Sequence, residues 1–180
     1  MFEDRLLCLA FKRGSDRAFR RIYAKHRGPM LKLAVGLLRD EAAAEDVVQD
    51  VFLRMVQSAD RLRVRGSLKA YLRVCVLHAA RGRFRKKVRE AGPLGEMDPP
   101  AVRTRRPEEW LILDEQSRRL LDALARIPQE QREAVVLHLQ GDMTFRQIAE
   151  LCEVPAATIQ SRYRYGLKKL RSILDGEVRP

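Results

Sequence analysis

The sequence predicts an all-α fold of two small helical domains joined by a flexible linker, the second domain containing a helix-turn-helix. Apolar residues recur at helical spacing nearly throughout, and no stretch couples β-branched alternation to a hairpin turn. One segment, "EAGPLGEMDPPAVRTRRPEE", breaks the pattern with four prolines and two glycines in twenty residues. These observations predict a helical domain over 1–89, a linker over 90–108 and a second domain over 109–180.

Helices are expected over Asp4–Arg13, Asp16–Arg39, Glu41–Ser58 and Ser67–Arg89, with Gly28-Pro29 bending or interrupting the second. Short polar joints connect them, as in a compact bundle. Beyond the linker, Trp110, Leu113, Leu120, Leu121 and Leu124 mark a helix that stops near Pro128. Ala134, Val135, Leu137 and Leu139 mark another, and two more begin near Thr144 and Ala156.

The formal net charge of +12 and pI of about 10.2 over 180 residues predict attraction to a polyanion, either nucleic acid or an anionic lipid surface. Cys8, Cys75 and Cys152 are odd in number and lack metal-site or redox spacing, so three buried thiols in a reducing compartment are expected. No metal or other cofactor is implied. The run "LLCLAF" is too short for a signal peptide or a spanning helix, which points to a soluble cytoplasmic protein.

"VCVLHAARGRFRKK" opens as core-like apolar sequence and ends with five basic residues in seven. On a helical wheel Leu68, Leu72, Cys75 and Ala79 form its core stripe. His78, Arg81 and Arg85 share another face, with Lys69 and Arg73 elsewhere on the polar surface. A helix lying on a membrane needs a broad exposed apolar face, and here that face is committed to the bundle. Direct membrane binding is therefore disfavoured.

"DEAAAEDVVQDVFLRMVQ" places Ala44, Val48, Val51 and Met55 on one face, beside Val47 and Phe52. Asp40 is suited to cap this helix, and Glu41 to its positive end. Asp46 and Asp50, spaced i,i+4, repel by a few tenths of a kcal/mol, and with Gln49 they form an acidic exposed patch on a basic protein. Either a basic protein partner or local pairing with Arg54 or another neighbour accounts for them.

In "TFRQIAELCEVPAATIQSRYRYGLKKLR", Thr144 and Gln147 have capping-box spacing, while Ala149 and Ile159 suit a close helix crossing. Ile159, Tyr163 or Gly166, and Leu170 face inward. Gln160, Ser161, Arg162, Arg164, Tyr165 and Lys168 then lie outside, where early residues approach base edges and later cations meet phosphates. Glu153 fills the turn position commonly given to glycine, at a cost of about 1 kcal/mol if left-handed.

Three stretches in this order resemble the extracytoplasmic-function (group IV) sigma factors of bacterial RNA polymerase. "AEDVVQDVFLRMV" is similar to the region-two helix on the polymerase clamp. "RVRGSLKAYLRVCVLHAARGRFRKK" is similar to the promoter-melting, minus-ten-reading segment. "IPQEQREAVVLHLQGDMTFRQIAELCEVPAATIQSRYRYGLKKLR" is similar to region four. The resemblance implies a non-enzymatic initiation factor that binds core polymerase through the β′ clamp helices and β flap and directs it to promoter DNA.

By that resemblance, Asp46, Gln49, Asp50 and Arg54 meet the clamp. Arg61, Arg63, Arg65, Tyr71, His78, Arg81 and Arg85 meet the opened minus-ten strand, and Gln160, Ser161, Arg162, Arg164, Tyr165 and Lys168 meet minus-thirty-five duplex. Tyr71 stands where members commonly carry Trp, His78 where Asn is frequent, and Gly82 where Asp is frequent. The linker resembles the segment that threads toward the polymerase active site and RNA exit. A cognate anti-sigma factor is a further partner class that the resemblance raises without identifying one.

A free-standing helix-turn-helix regulator is the alternative, but it leaves the acidic patch and the aromatic basic helix without a role. A nuclease needs clustered carboxylates or a poised acid and base, which Asp46, Asp50, His26 and His138 do not supply.

Overall fold

The structure is a computed structural model that describes residues 2–62, 64, 66–91 and 115–176. Its elements are α1 (Phe2–Lys12), α2 (Asp16–Leu38), α3 (Glu41–Gln57), a 3-10 turn (Ala59–Arg61), α4 (Leu68–Ala91), α5 (Glu115–Ala125), α6 (Gln129–Leu139), α7 (Phe145–Cys152) and α8 (Ala156–Leu174). Among the described residues there is no strand. Trp110, Leu113 and the predicted linker lie outside the described residues.

Local chemistry accounts for the helix starts. Ser15 Oγ accepts from Ala18 N at 3.3 Å, and Asp40 Oδ1 accepts from Ala43 N at 3.0 Å, so α2 and α3 each begin on a side-chain cap. Of the bend or interruption expected at Gly28-Pro29, the interruption is absent, because α2 runs through Pro29. Pro29 is exposed while Met30 and Leu31 beside it are buried. Apolar burial of the flanking turns offsets the backbone bond that proline cannot make.

Helices α1 to α4 form the first bundle. α2 lies centrally, touching α1, α3 and α4, and a ring cluster of Phe11, Phe19, Tyr23 and Phe52 joins α1, α2 and α3. The buried face of α3 is Ala44, Val47, Val48, Val51, Phe52 and Met55.

Two expectations for α4 need correction. Its buried stripe is Leu68, Leu72, Val76 and Ala80 with Leu77, whereas Cys75 and Ala79 are half-buried. The helix sits across both α2 and α3, which rotates the covered face from the one a single-partner wheel gives. Arg73 belongs to the buried set rather than to the polar surface. Of the three cysteines only Cys8 is buried, and Cys75 and Cys152 are half-buried.

His26 is buried on α2 with Nε2 3.5 Å from Asp4 Oδ2 of α1. Burial pushes its imidazole below the usual range, Asp4 opposes that shift, and Lys25 and Lys69 add to it. A folded value below the unfolded one means that the unfolded chain takes the proton first. The stabilising contribution is complete above about pH 6.5 and is lost as pH falls below it toward the folded value. The melting temperature is expected to fall on acidification from about pH 7.5 toward 5.5, and His26→Gln to flatten that slope. An unchanged slope in calorimetry would rule His26 out as its source.

Helices α5 to α8 form the second bundle, with α8 against α5, α6 and α7. Leu124, Ile127, Val135, Leu137, Ile148, Ile159 and Leu170 fill it. The two bundles also meet, α2 against α6.

Candidate functional site

Because α3 commits its apolar face to the bundle, Asp46, Gln49, Asp50 and Arg54 are left exposed. The local partner of Asp46 is Arg83 of α4, whose Nη1 lies 3.1 Å from Oδ2, rather than Arg54. Both side chains are well exposed, so this pair contributes at most about 1 kcal/mol. Leu53 and Val56, also exposed on α3, extend the patch with apolar surface. The signal for Leu53 was present in the sequence, since it follows Gln49 and Asp50 by four and three positions on the polar side.

On α4, Tyr71, His78, Arg81 and Arg85 are brought together along one cleft of about 1420 Å³ that Asp50 and Arg54 also line. His78 and Arg85 are exposed, and Tyr71 and Arg81 half-buried. Arg61 is exposed on the 3-10 turn and does not line the cleft, while Arg63 and Arg65 lie outside the described residues. Burial, with Cys75 adding to it, raises the Tyr71 phenol above its ordinary value. Gly82 is part of the cleft wall, and a Cβ there would meet nothing within 4 Å.

Arg81 is not free in this arrangement. It donates from Nη2 and Nε to Glu133 at 2.6 to 3.3 Å, from Nη1 to the Leu151 carbonyl at 3.3 Å, and from Nη2 to Cys152 Sγ at 3.0 Å. The hydrogen bond to Glu133 outweighs burial and holds the guanidinium above its ordinary value.

The helix-turn-helix is α7, its turn and α8. Gln147 N donates to Thr144 Oγ1 at 3.2 Å and Thr144 N to Gln147 Oε1 at 2.9 Å, which completes the capping box. Ala149 and Ile159 are buried where the helices cross. Glu153 closes α7 at φ 55° and ψ 41°, so the left-handed turn is made without glycine. Beneath it, His138 stacks on Phe145 at 4.3 Å between ring centroids and both meet Tyr163 edge-on.

Gln160, Arg164, Tyr165 and Lys168 are exposed along α8, with Ser161 and Arg162 half-buried beside them. Arg164 lies 5.3 Å from the Tyr165 ring centroid, a cation over an aromatic face on the outer surface. Gly166 faces inward, where α8 crosses α6 too closely for a side chain. In the same bundle Leu120, Leu124, Leu139, Leu167, Leu170 and Leu174 line an apolar groove of about 320 Å³. Leu120, Leu139 and Leu167 are exposed, and sequence periodicity alone had not marked that groove.

Among the described residues no group of three or more His, Cys, Asp or Glu could hold a metal ion. Nor is any described helix long and apolar enough to cross a membrane.

Residues 22–90 match the family Sigma-70 region 2, and residues 117–170 match Sigma-70, region 4. An acidic-and-basic helical bundle followed by a helix-turn-helix bundle is thus the two-region plan of a sigma-70 protein. The chain is 30% identical over 179 residues to the ECF RNA polymerase sigma factor SigK of Mycobacterium sp. (strain KMS), covering 95% of this chain and 90% of that one. It is 28% identical over 169 residues to the RNA polymerase sigma factor CarQ of Myxococcus xanthus, covering 93% and 95%.

In fold it is similar to the sigma factor RpoE from Bartonella quintana, solved with the anti-sigma factor NepR. The TM-score is 0.71 at 24% identity, over 87% of this chain and 96% of that one. It is also similar to CnrH, solved with the cytosolic domain of CnrY, at a TM-score of 0.67 and 22% identity over 98% and 99%. The chain belongs to the extracytoplasmic-function sigma factors of bacterial RNA polymerase. A free-standing helix-turn-helix regulator is not favoured, because the region 2 match spans 22–90 ahead of the DNA-binding motif.

Proposed function

We propose that the chain works as two separable domains, over 1–89 and 109–180, joined by 90–108, each meeting polymerase and promoter through a different surface. Asp46, Gln49, Asp50 and Arg54, with Leu53 between them, dock on basic surface of the β′ clamp helices. Tyr71, His78, Arg81 and Arg85 hold the opened minus-ten strand, with Arg61, Arg63 and Arg65 approaching from the preceding loop. Cations hold the strand's phosphates while Tyr71 offers an unstacked base a face to stack on. Gln160, Ser161, Arg162, Arg164, Tyr165 and Lys168 read the minus-thirty-five element as duplex through the major groove.

The apolar groove beside α8 suits the apolar face of a helix, and we assign it to the β flap. The protein itself carries out no chemistry. Holding the separated strand favours the open duplex by mass action, without ATP. It acts in the bacterial cytoplasm and on the nucleoid when polymerase-bound, with no direct membrane binding, and an anti-sigma factor is a partner class to seek there.

The observation that carries this reading is the cleft, where Tyr71, His78, Arg81 and Arg85 converge within one helix of the acidic α3 patch. Transcription with purified core polymerase on fragments of the source genome tests it. Initiation at discrete start sites only when the protein is added is expected; core that neither binds the protein nor initiates with it overturns the assignment.

A further inference from the structure

The last turn of α5 gathers two arginines from different elements. Arg39, which follows α2, donates from Nη1 to the Ala125 carbonyl at 3.1 Å, and Arg132 of α6 donates from Nη1 to the Leu124 carbonyl at 3.3 Å. Their guanidiniums therefore converge on successive carbonyls. Both residues are more than nine-tenths buried, at 7% and 3% exposure, and each has an Nε with no hydrogen-bond partner. Among the described residues no ion pair reaches either one. Glu133, next to Arg132 in the chain, gives its oxygens to Arg81 and Gln129.

Helix-end carbonyls answer only part of this charge. The carboxyl end of a helix carries about half a negative charge, and two guanidiniums bring two positive ones, so roughly one and a half remain. Burial and the neighbouring Arg39 charge push Arg132 down to about 10, with Glu133 and Glu130 opposing, and burial lowers Arg39 too. Two buried like charges without a counterion are strongly destabilising. An anion between them removes that penalty.

Both arginines line the large cleft beside α4. Among the described residues seven Lys and Arg side chains line it against three carboxylates, so its field draws anions in. Its volume of about 1420 Å³ exceeds the roughly 300 to 1,000 Å³ of common ligand pockets. There is room for a ligand larger than the anionic group the two arginines would hold.

We propose that Arg39 and Arg132 form a binding site for the phosphate group of a small molecule. A tetrahedral phosphate dianion presents oxygens to two guanidinium forks at once and matches the charge left over, whereas a carboxylate offers one charge and two oxygens. Neither arginine belongs to the row assigned to promoter DNA, and the inference does not rest on the roles proposed for α4. Because one arginine comes from each bundle, the bound anion stabilises the folded chain by mass action.

Titration calorimetry of the full-length chain with pyrophosphate as the probe tests the site. Saturable one-to-one binding is expected. Arg39→Gln and Arg132→Gln should each weaken it by about 10-fold or more, since each removes charge-assisted hydrogen bonds. Arg83→Gln, which removes an exposed cation of the same cleft, should change it by about 2-fold or less. Where a glutamine variant does not fold, wild type decides. Its buried arginine Nε–H resonances in nitrogen-edited NMR spectra should shift with pyrophosphate and not with sodium chloride at equal ionic strength, and its melting temperature should rise with the same anion.

Equal losses in all three variants mean diffuse attraction by a basic cleft and overturn the site. A wild type in which pyrophosphate neither binds nor shifts those resonances overturns it as well. In that case binding of a fluorescent single strand says what the arginines do: weaker binding in both glutamine variants gives them to the phosphates of the promoter strand, and unchanged binding leaves them as caps on α5.

Discussion

Asp46→Lys combined with Asp50→Lys is expected to weaken binding to core polymerase by about 100-fold, as like charges brought together across an interface cost several kcal/mol. Both side chains are exposed on α3 and neither fills the core. The ion pair of Asp46 with Arg83, lost in this variant, contributes at most about 1 kcal/mol because both partners are solvated. The substituted pair still repels at i,i+4, so helix stability changes little. Association measured with surface-immobilised core gives the direct readout. The control is duplex binding, which the added positive charge should preserve or raise, so loss of core binding alone separates a docking defect from misfolding. Unchanged core affinity removes the role given to this patch.

Much of this surface was legible from the sequence because it rests on local rules. Asp40 and Thr144 announce helix starts through side chains that reach only three residues, and the spacing of Ala44, Val48, Val51 and Met55 decides what α3 turns outward. Glu153 could be read as a strained turn residue because the capped helix before it leaves one position for the left-handed step.

Other features depend on partners far along the chain. Arg73 reads as a solvated cation on any helical wheel, yet it is buried against Asp142, sixty-nine residues away. Arg81 reads as a free nucleic-acid contact until Glu133 is placed beside it, and nothing local to Glu133 distinguishes it from an ordinary polar position on α6. The stripe on α4 was misplaced by about one residue for a related reason. A wheel assumes one covering neighbour, and α4 has α2 and α3. An interruption at Pro29 is ruled out for the opposite reason, since its local penalty is real but smaller than the burial on either side.

Two glycines within helices are expected to respond with opposite signs. At Gly166 a Cβ would lie 2.9 Å from Val135 Cγ2 and 3.2 Å from the Gln131 carbonyl oxygen. Neither neighbour yields easily, because valine is stiff at χ1 in a helix and the carbonyl belongs to the α6 backbone. Gly166→Leu must therefore push α8 away from α6. Overpacking of this kind costs about 1 to 3 kcal/mol, and a whole leucine belongs at or beyond the upper end, even after about 1 kcal/mol of helix propensity is recovered. For a domain of this size each kcal/mol moves the melting temperature by roughly 4 to 8 °C, so a drop of about 10 °C is expected. Because α8 carries the outer row from Gln160 to Lys168, duplex binding should weaken in parallel.

At Gly82 a Cβ meets nothing within 4 Å, so Gly82→Ala keeps only the propensity gain. It should raise stability by about 0.5 to 1 kcal/mol. Calorimetry of the two variants decides between packing and propensity. A Gly166→Leu protein as stable as wild type would mean that the α6 and α8 crossing is not held as closely as Gly166 implies. A destabilised Gly82→Ala protein would mean that the bare position in the α4 cleft is needed for the fold.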